Sequence, residues 1–197
     1  APPSIASKNR WASRETGDPK YREIALIHAR TTLANSVRPD DSTYHTFYMD
    51  PVTGAPVRGA TKQGYRDDSA WARGQAWAIS GMALSYRYER IEEYRQTFDR
   101  LLAFYLNRLP ADMVPYWDLV FSDGDGEPRD SSSASIAACG LLEMADLVEA
   151  EAAERYRILA RRMMKSLADH YAVKDPTVSN GLVLHATYSK KSPFNTC

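Results

Sequence analysis

Three short segments open amphipathic stretches in the same way: Lys20-Tyr21-Arg22, Glu93-Tyr94-Arg95 and Arg155-Tyr156-Arg157. Twelve residues beyond each tyrosine lies Leu33, Leu106 or Ala168. A more apolar, alanine-rich stretch precedes the second and third of them, at residues 69–86 and 134–149. A helix buried on most sides followed by a half-exposed one, recurring every 60–75 residues, predicts stacked antiparallel helical hairpins. An inner ring of helices inside an outer ring is the natural closure. Repetition alone leaves open a plain helical bundle that reuses Tyr-Arg.

The individual helices have recognisable ends. In "GDPKYREIALIHARTTLANSV" Asp18 is placed to be the N-cap and Pro19 to sit at N1, and Tyr21, Ile24, Ile27 and Leu33 recur at helical spacing. "DDSAWARGQAWAISGMALSYRYE" reads as a second helix with Asp67 and Asp68 complementing the dipole at its start. "IEEYRQTFDRLLAFYLNRL" stops before Pro110. "SASIAACGLLEMADLVEA" and "EAAERYRILARRMMKSLADHY" follow, and no long strand is expected. The 197 residues therefore read as one all-α domain, with atypical ends at 1–10 and 191–197.

Charge and composition exclude several classes. Acidic and basic side chains number 25 each, so no electrostatic footprint points to nucleic acid or a membrane surface. No apolar run approaches the roughly 20 residues that span a bilayer. The opening "APPSIASKNR" lacks the apolar core and cleavage pattern of a signal peptide, which favours the cytoplasm over secretion. Cys139, within "IAACGLLEM", is expected to be a buried free thiol rather than a disulfide or metal ligand.

Two long connections, "RPDDSTYHTFYMDPVTGAPVRGATKQGYR" and "PADMVPYWDLVFSDGDGEPRDSSS", each lead into an alanine-rich helix. Loops of that length in a compact domain usually carry function, and these two are placed to rim a pocket. At the end of the first stands "DDSAWARGQAWAISG". On a helix, Arg73 and Trp77 share a face, and Ala70, Ser80 and Gly81 extend it with small side chains. A guanidinium fork suits a carboxylate, and an indole suits the flat face of a sugar ring. The plainer alternative is that Arg73 pairs with Asp67 or Asp68 and Trp77 is core. Helix geometry leaves both open.

The segment "TKQGYRDDSAWARGQAWAISGMALSYRYE" closely resembles the signature region of the unsaturated glucuronyl hydrolases, glycoside hydrolase family 88. "ETGDPKYREIALIHARTTLANSVRPDDSTYHTFYMDPVTG", "VPYWD", "EPRDSSSASIAACGLLEMADL" and "NGLVLHATYSKK" follow the same family in order, so the likeness runs over residues 11–190. It implies part of an (α/α)6 toroid of the six-hairpin glycosidase type. It also implies an unusual hydrolysis: a proton is added to the vinyl ether of a 4,5-unsaturated uronic acid, water adds at C5, and the hemiketal opens. The substrate class is lyase-generated unsaturated oligosaccharide, and no metal or organic cofactor is implied. By the same resemblance His45 contacts the uronate ring, Gln63 hydrogen-bonds substrate, and Arg73 and Trp77 bind and stack on sugar. Asp67 and Asp68 belong to the motif, either touching ligand or capping the helix and orienting Arg73. His185 is a further ligand candidate, whereas Trp117 and Asp118 read as loop anchors.

One departure bears on catalysis. The family's catalytic aspartate lies about three helical turns before the aromatic matched by Trp11, which falls within "APPSIASKNRW", and no aspartate precedes Asp18. No catalytic residue is therefore assigned, and the 197-residue chain alone is expected to be a poor or inactive catalyst. About three of six hairpins are present, so a carbohydrate-binding remnant and a non-catalytic helical interaction module stand as alternatives to the hydrolase.

Overall fold

The computed structural model describes residues 4–191, with side chains from Lys8 onward. Six α-helices form three hairpins: α1 (Ser4–Thr16) with α2 (Pro19–Ser36), α3 (Ala72–Glu89) with α4 (Glu92–Leu106), and α5 (Ser131–Ala145) with α6 (Ala150–Ser166). A π-helical turn, Leu167–Tyr171, extends α6. Helices α1, α3 and α5 pack side by side as the inner row, and each carries its partner on the outside. This is the expected all-α, partial-toroid arrangement. Between α2 and α3 the chain adds a short antiparallel hairpin, β1 (Thr46–Met49) with β2 (Pro56–Ala60), which the sequence reading did not anticipate. Its pairing is short and confined to one connection, so it leaves no long alternating pattern.

Local chemistry explains the hairpin turns. Gly17 takes a φ of +73° after α1. Asp18 then caps α2, its carboxylate accepting the Lys20 amide at 3.0 Å, with Pro19 at the first helical position. Arg90 closes α3 in the left-handed region, its N–H donating to the Tyr86 carbonyl. The repeated tyrosines serve packing: Tyr94 and Tyr156 are both buried, and Phe98 meets Tyr156 edge-on at a centroid distance of 5.3 Å.

Several expectations need correction. Helix α3 begins at Ala72, so Asp67 and Asp68 lie in the preceding loop and do not cap it. Asp67 accepts a loop backbone N–H and Asp68 pairs with Arg66, and a side chain engaged with loop backbone in this way competes with helical geometry. On α2 the buried residues are Ala25 and Ala29, on the line from Tyr21 to Leu33, while Ile24 and Ile27 face outward. Small side chains on that line let neighbouring helices approach. Cys139 is exposed rather than buried. It shares with Leu142 a flank of α5 that no described element covers, so apolar surroundings in sequence did not translate into burial. Cys197 lies outside the described residues.

Where α3 and α5 cross, Gly140 lies against the backbone of Ser80. A β-carbon at position 140 would stand 2.8 Å from the Ser80 Cα and 3.0 Å from its nitrogen. Backbone atoms cannot rotate away, so Gly140→Ala must push the two inner helices apart. Overpacking of this kind costs about 1–3 kcal/mol, and the gain in helix propensity recovers at most about 1 kcal/mol. Thermal unfolding should show a net loss of stability. An unchanged or raised Tm would mean that the inner row is not packed at this separation.

Candidate functional site

A cavity of about 410 Å³ opens between α2, the segment 43–46 and α3. His45, Trp71 and Trp77 line it, together with Thr43, Tyr44 and Gly74. Trp77 projects from the second turn of α3 and is 45% exposed, large for an indole on an inner helix. Trp71, just before the helix, is mostly buried, and its ring lies 4.5 Å from that of His45.

His45 is fixed by its surroundings. Its Nδ1 accepts the backbone N–H groups of Lys62 at 3.1 Å and Gln63 at 3.3 Å. Donors on Nδ1 place the ring proton on Nε2. Burial, reinforced by the nearby Lys62 charge, pushes the imidazole pKa down to about 4. The side chain is thus a neutral Nε2–H donor over the whole physiological range.

A second group meets on the other side of Trp71, around Tyr188. The Trp71 indole N–H donates to the Tyr188 carbonyl at 3.1 Å, and the two rings pack edge-on at 5.8 Å. Gln63 donates from its amide nitrogen to the Tyr188 hydroxyl. Whichever way that amide is turned, one polar atom faces Tyr188. The other, Oε1 in this orientation, is buried without a partner among the described residues. The Arg73 guanidinium carbon stands 5.4 Å from the centre of the Tyr188 ring and 5.7 Å from that of Trp71.

Arg73 is paired, but not with Asp67 or Asp68. Its Nε donates to Asp130 Oδ2 at 3.0 Å and its Nη2 to Oδ1 at 2.8 Å. Asp130 is fully buried at the head of α5, while the Arg73 side chain retains 17% exposure. Asp67 accepts the Thr61 amide at 2.8 Å and faces Arg58 at 3.5 Å. Asp68 pairs with Arg66 at 2.7 Å. Both aspartates are exposed and outside the cavity wall, so they are loop residues rather than Arg73 partners. The structure therefore places His45 and Trp77 on the cavity wall with Trp71, whereas Gln63 and Arg73 lie outside that wall and meet at Tyr188, and the two aspartates stand apart from both groups.

Other candidates fall into place as scaffolding. Asp118 is fully buried and accepts from the Tyr65 N–H at 2.8 Å and the Ser69 hydroxyl at 2.7 Å. Trp117 donates to Glu127 at 2.8 Å. Gln75, the other polar residue of "ARGQAW", bonds Thr43 and the carbonyls of Asp41 and Leu101. His185 packs edge-on against Tyr171 at 5.9 Å and does not line the cavity. Residues that sequence reasoning missed are Trp71, Asp130 and Tyr188. All three lie in segments that resemble the family, Trp71 in the signature region, Asp130 in "EPRDSSSASIAACGLLEMADL" and Tyr188 in "NGLVLHATYSKK", but no local spacing linked the last two to Arg73 or Gln63. Among the described residues no cluster of three His, Cys, Asp or Glu side chains is placed to hold a metal ion.

The state of His45 makes stability depend on pH. In the unfolded chain its ordinary pKa is near 6.5, so the unfolded state takes up a proton first as pH falls. The stability tied to the neutral ring is present above about pH 6.5 and is lost progressively down to about pH 4. In His45→Asn the side-chain oxygen can replace Nδ1 as acceptor but does not titrate. Urea unfolding from pH 7 to 4 should show the native protein losing stability faster than this variant. A constant difference between the two across that range would contradict the assignment.

Residues 9–194 match the family model described as Glycosyl Hydrolase Family 88. An unsaturated chondroitin disaccharide hydrolase from Streptococcus pyogenes is 46% identical over 181 residues, which cover 91% of this chain and 45% of that protein. The crystal structure of an unsaturated glucuronyl hydrolase from Bacillus sp. GL1, responsible for the degradation of glycosaminoglycan, superposes with a TM-score of 0.90. It is 39% identical, over 94% of this chain and 50% of the other. A mutant unsaturated glucuronyl hydrolase from Streptococcus agalactiae, complexed with dGlcA-GalNAc6S, gives 0.86 at 41% identity, over 97% and 51%. This chain thus spans about half the length of the relatives it matches, and over that half it is a member of glycosyl hydrolase family 88.

Proposed function

We propose that the cavity and the Arg73 cluster form the binding surface for the terminal 4,5-unsaturated uronic acid of an oligosaccharide. On this reading the protein acts in a glycoside hydrolase that releases that sugar by hydration of its vinyl ether. A proton goes to C4, the oxygen of water to C5, and the resulting hemiketal opens as the rest of the oligosaccharide leaves with its hydroxyl restored. The observation that carries the reading is the half-exposed Trp77 on the wall of a cavity shared with His45 and Trp71. Indole faces are flat apolar surfaces that match the C–H face of a sugar ring. His45 supplies a neutral N–H beside them, and Gln63 and Arg73 supply polar contacts beyond Trp71. The family match weighs against the chain being a plain helical interaction module.

These residues bind and orient; they do not supply the proton. No aspartate or glutamate lines the cavity among the described residues. His45 holds its ring neutral down to about pH 4, so it is not an acid at neutral pH. Adding a proton to an enol-ether carbon needs an acid within hydrogen-bond reach. The 197-residue chain should therefore bind an unsaturated chondroitin disaccharide without turning it over. Loss of absorbance of the conjugated double bond at roughly 1 per second or faster would show that one of these side chains does donate the proton.

Calorimetric titration with the same disaccharide tests the binding surface. Arg73→Lys keeps the charge but cannot keep the planar fork on Asp130 and also reach outward. It should weaken binding by about 1–3 kcal/mol, a loss of roughly 5- to 150-fold. Trp77→Ala should weaken it similarly by removing the stacking face. Unchanged affinity in both variants would place the ligand elsewhere.

A further inference from the structure

We propose that Asp130 is the positioning residue for Arg73: it fixes which edge of the guanidinium meets the ligand and removes its free charge. The inference rests on the reading of Arg73 as a ligand-contacting group and extends it to a residue to which the resemblance assigned no role.

Asp130 stands at the N-cap position of α5, where a carboxylate ordinarily accepts N–H groups of its own helix. Here it makes no such cap. Both oxygens are turned across to the neighbouring inner helix instead, one to Arg73 Nε at 3.0 Å and the other to Nη2 at 2.8 Å. The Ser132 hydroxyl donates to Oδ1 at 2.6 Å and holds the carboxylate in that rotation. The backbone at Asp130 is equally fixed. Its N–H donates to the Pro115 carbonyl at 2.8 Å, and it bridges to Ala186, whose carbonyl takes a further bond from Arg73 Nη2 at 3.3 Å. The carboxylate thus sits where the 110–130 loop, α5 and the segment around Ala186 meet.

The consequence lies in what is left of the guanidinium. A bidentate pair occupies the Nε and Nη2 edge and sets the plane of the group. Nη1 is the one guanidinium nitrogen with no hydrogen-bond partner among the described residues. Trp71 and Tyr188 flank the same group. Because a fully buried carboxylate already balances the charge, Arg73 meets a ligand as an oriented N–H donor to a sugar or carboxylate oxygen, not as a free cation.

A double-mutant cycle on affinity separates this role from a merely structural one. The 197-residue chain is titrated with unsaturated chondroitin disaccharide, well below the melting temperature of each variant. The variants are Arg73→Gln, Asp130→Asn and the two together. Each single change is expected to weaken binding fivefold or more, and the double variant should bind no worse than Arg73→Gln alone. If Asp130→Asn lowers Tm but leaves affinity unchanged, or if the two losses multiply, the inference is overturned. If Arg73→Gln alone has no effect, the reading of Arg73 as a ligand contact fails first, and the role of Asp130 falls with it. Should Asp130→Asn not fold, Asp130→Glu takes its place in the cycle. It keeps the charge, displaces the carboxylate by one methylene, and carries the same expectation.

Discussion

The contact of Gly140 with the Ser80 backbone sets the spacing on which the site depends. It holds α3 and α5 at a separation no side chain at position 140 would allow. At that distance the Ser133 hydroxyl, on α5, donates to the Ala72 carbonyl, on α3, at 2.9 Å, and Tyr105 from α4 reaches Ser133 at 3.0 Å. Burial pushes the Tyr105 phenol far above its ordinary pKa, so it serves as a neutral hydrogen-bonding strut. With the two helix heads clasped in this way, Asp130 at the start of one can reach Arg73 on the first turn of the other. A wider spacing would break a buried ion pair, which typically costs about 3–5 kcal/mol when one partner is lost. Helix packing and site geometry are therefore one constraint.

The two long connections are held by buried polar groups rather than by apolar packing. Asp118 gathers Tyr65 and Ser69 from one loop onto the other, and the backbone adds Leu119 to Ala70 at 2.8 Å and Ala72 to Trp117 at 3.2 Å. Gln75 does the same for the 41–43 segment, with both ends of its amide engaged. Buried polar networks are stable only when fully satisfied, and these are. Two side chains of the first connection keep a buried atom without a partner among the described residues, Arg38 at Nε and Gln63 at Oε1, and Gln63 stands beside the proposed ligand surface. An unmet buried hydrogen-bonding group is what a ligand hydroxyl would complete.

How much of this was legible in the sequence follows from the range of each interaction. Helices and their caps are local: Asp18 with Pro19 marked the start of α2, and the Tyr-Arg repeat marked the outer helices. Helical spacing predicted one shared face for Arg73 and Trp77, but Trp77 lines the cavity while Arg73 turns to Asp130 on α5. What the sequence concealed were pairings across long separations. Asp130 lies 57 residues from Arg73, and Tyr188 lies 125 residues from Gln63, too far for any periodicity to register. Sequence proximity suggested Asp67 and Asp68 as Arg73 partners, but Thr61, Arg58 and Arg66 hold them in the loop. Burial was misjudged for a related reason. Ile24, Ile27 and Cys139 are apolar, yet which flank of a helix is covered depends on its neighbours rather than on its own composition.

The question raised by an arginine among the tryptophans and alanines of "AWARGQAW" now has a physical answer. A free guanidinium on an inner helix would be costly to bury. Paired with Asp130 it is tolerated, and the pairing removes its net charge while keeping one edge available. His45 is neutral for an analogous reason, since burial and donors on Nδ1 exclude the imidazolium. Tryptophans supply surface without charge. The cavity wall thus carries no Asp, Glu, Lys or Arg among the described residues and the paired Arg73 stands beyond Trp71, although the ligand class proposed for this surface is anionic. In such a site discrimination comes from the direction of a few N–H groups and the shape of two indoles. Displacing any of them by an ångström removes more affinity than a nearby exposed charge, screened by solvent, could restore.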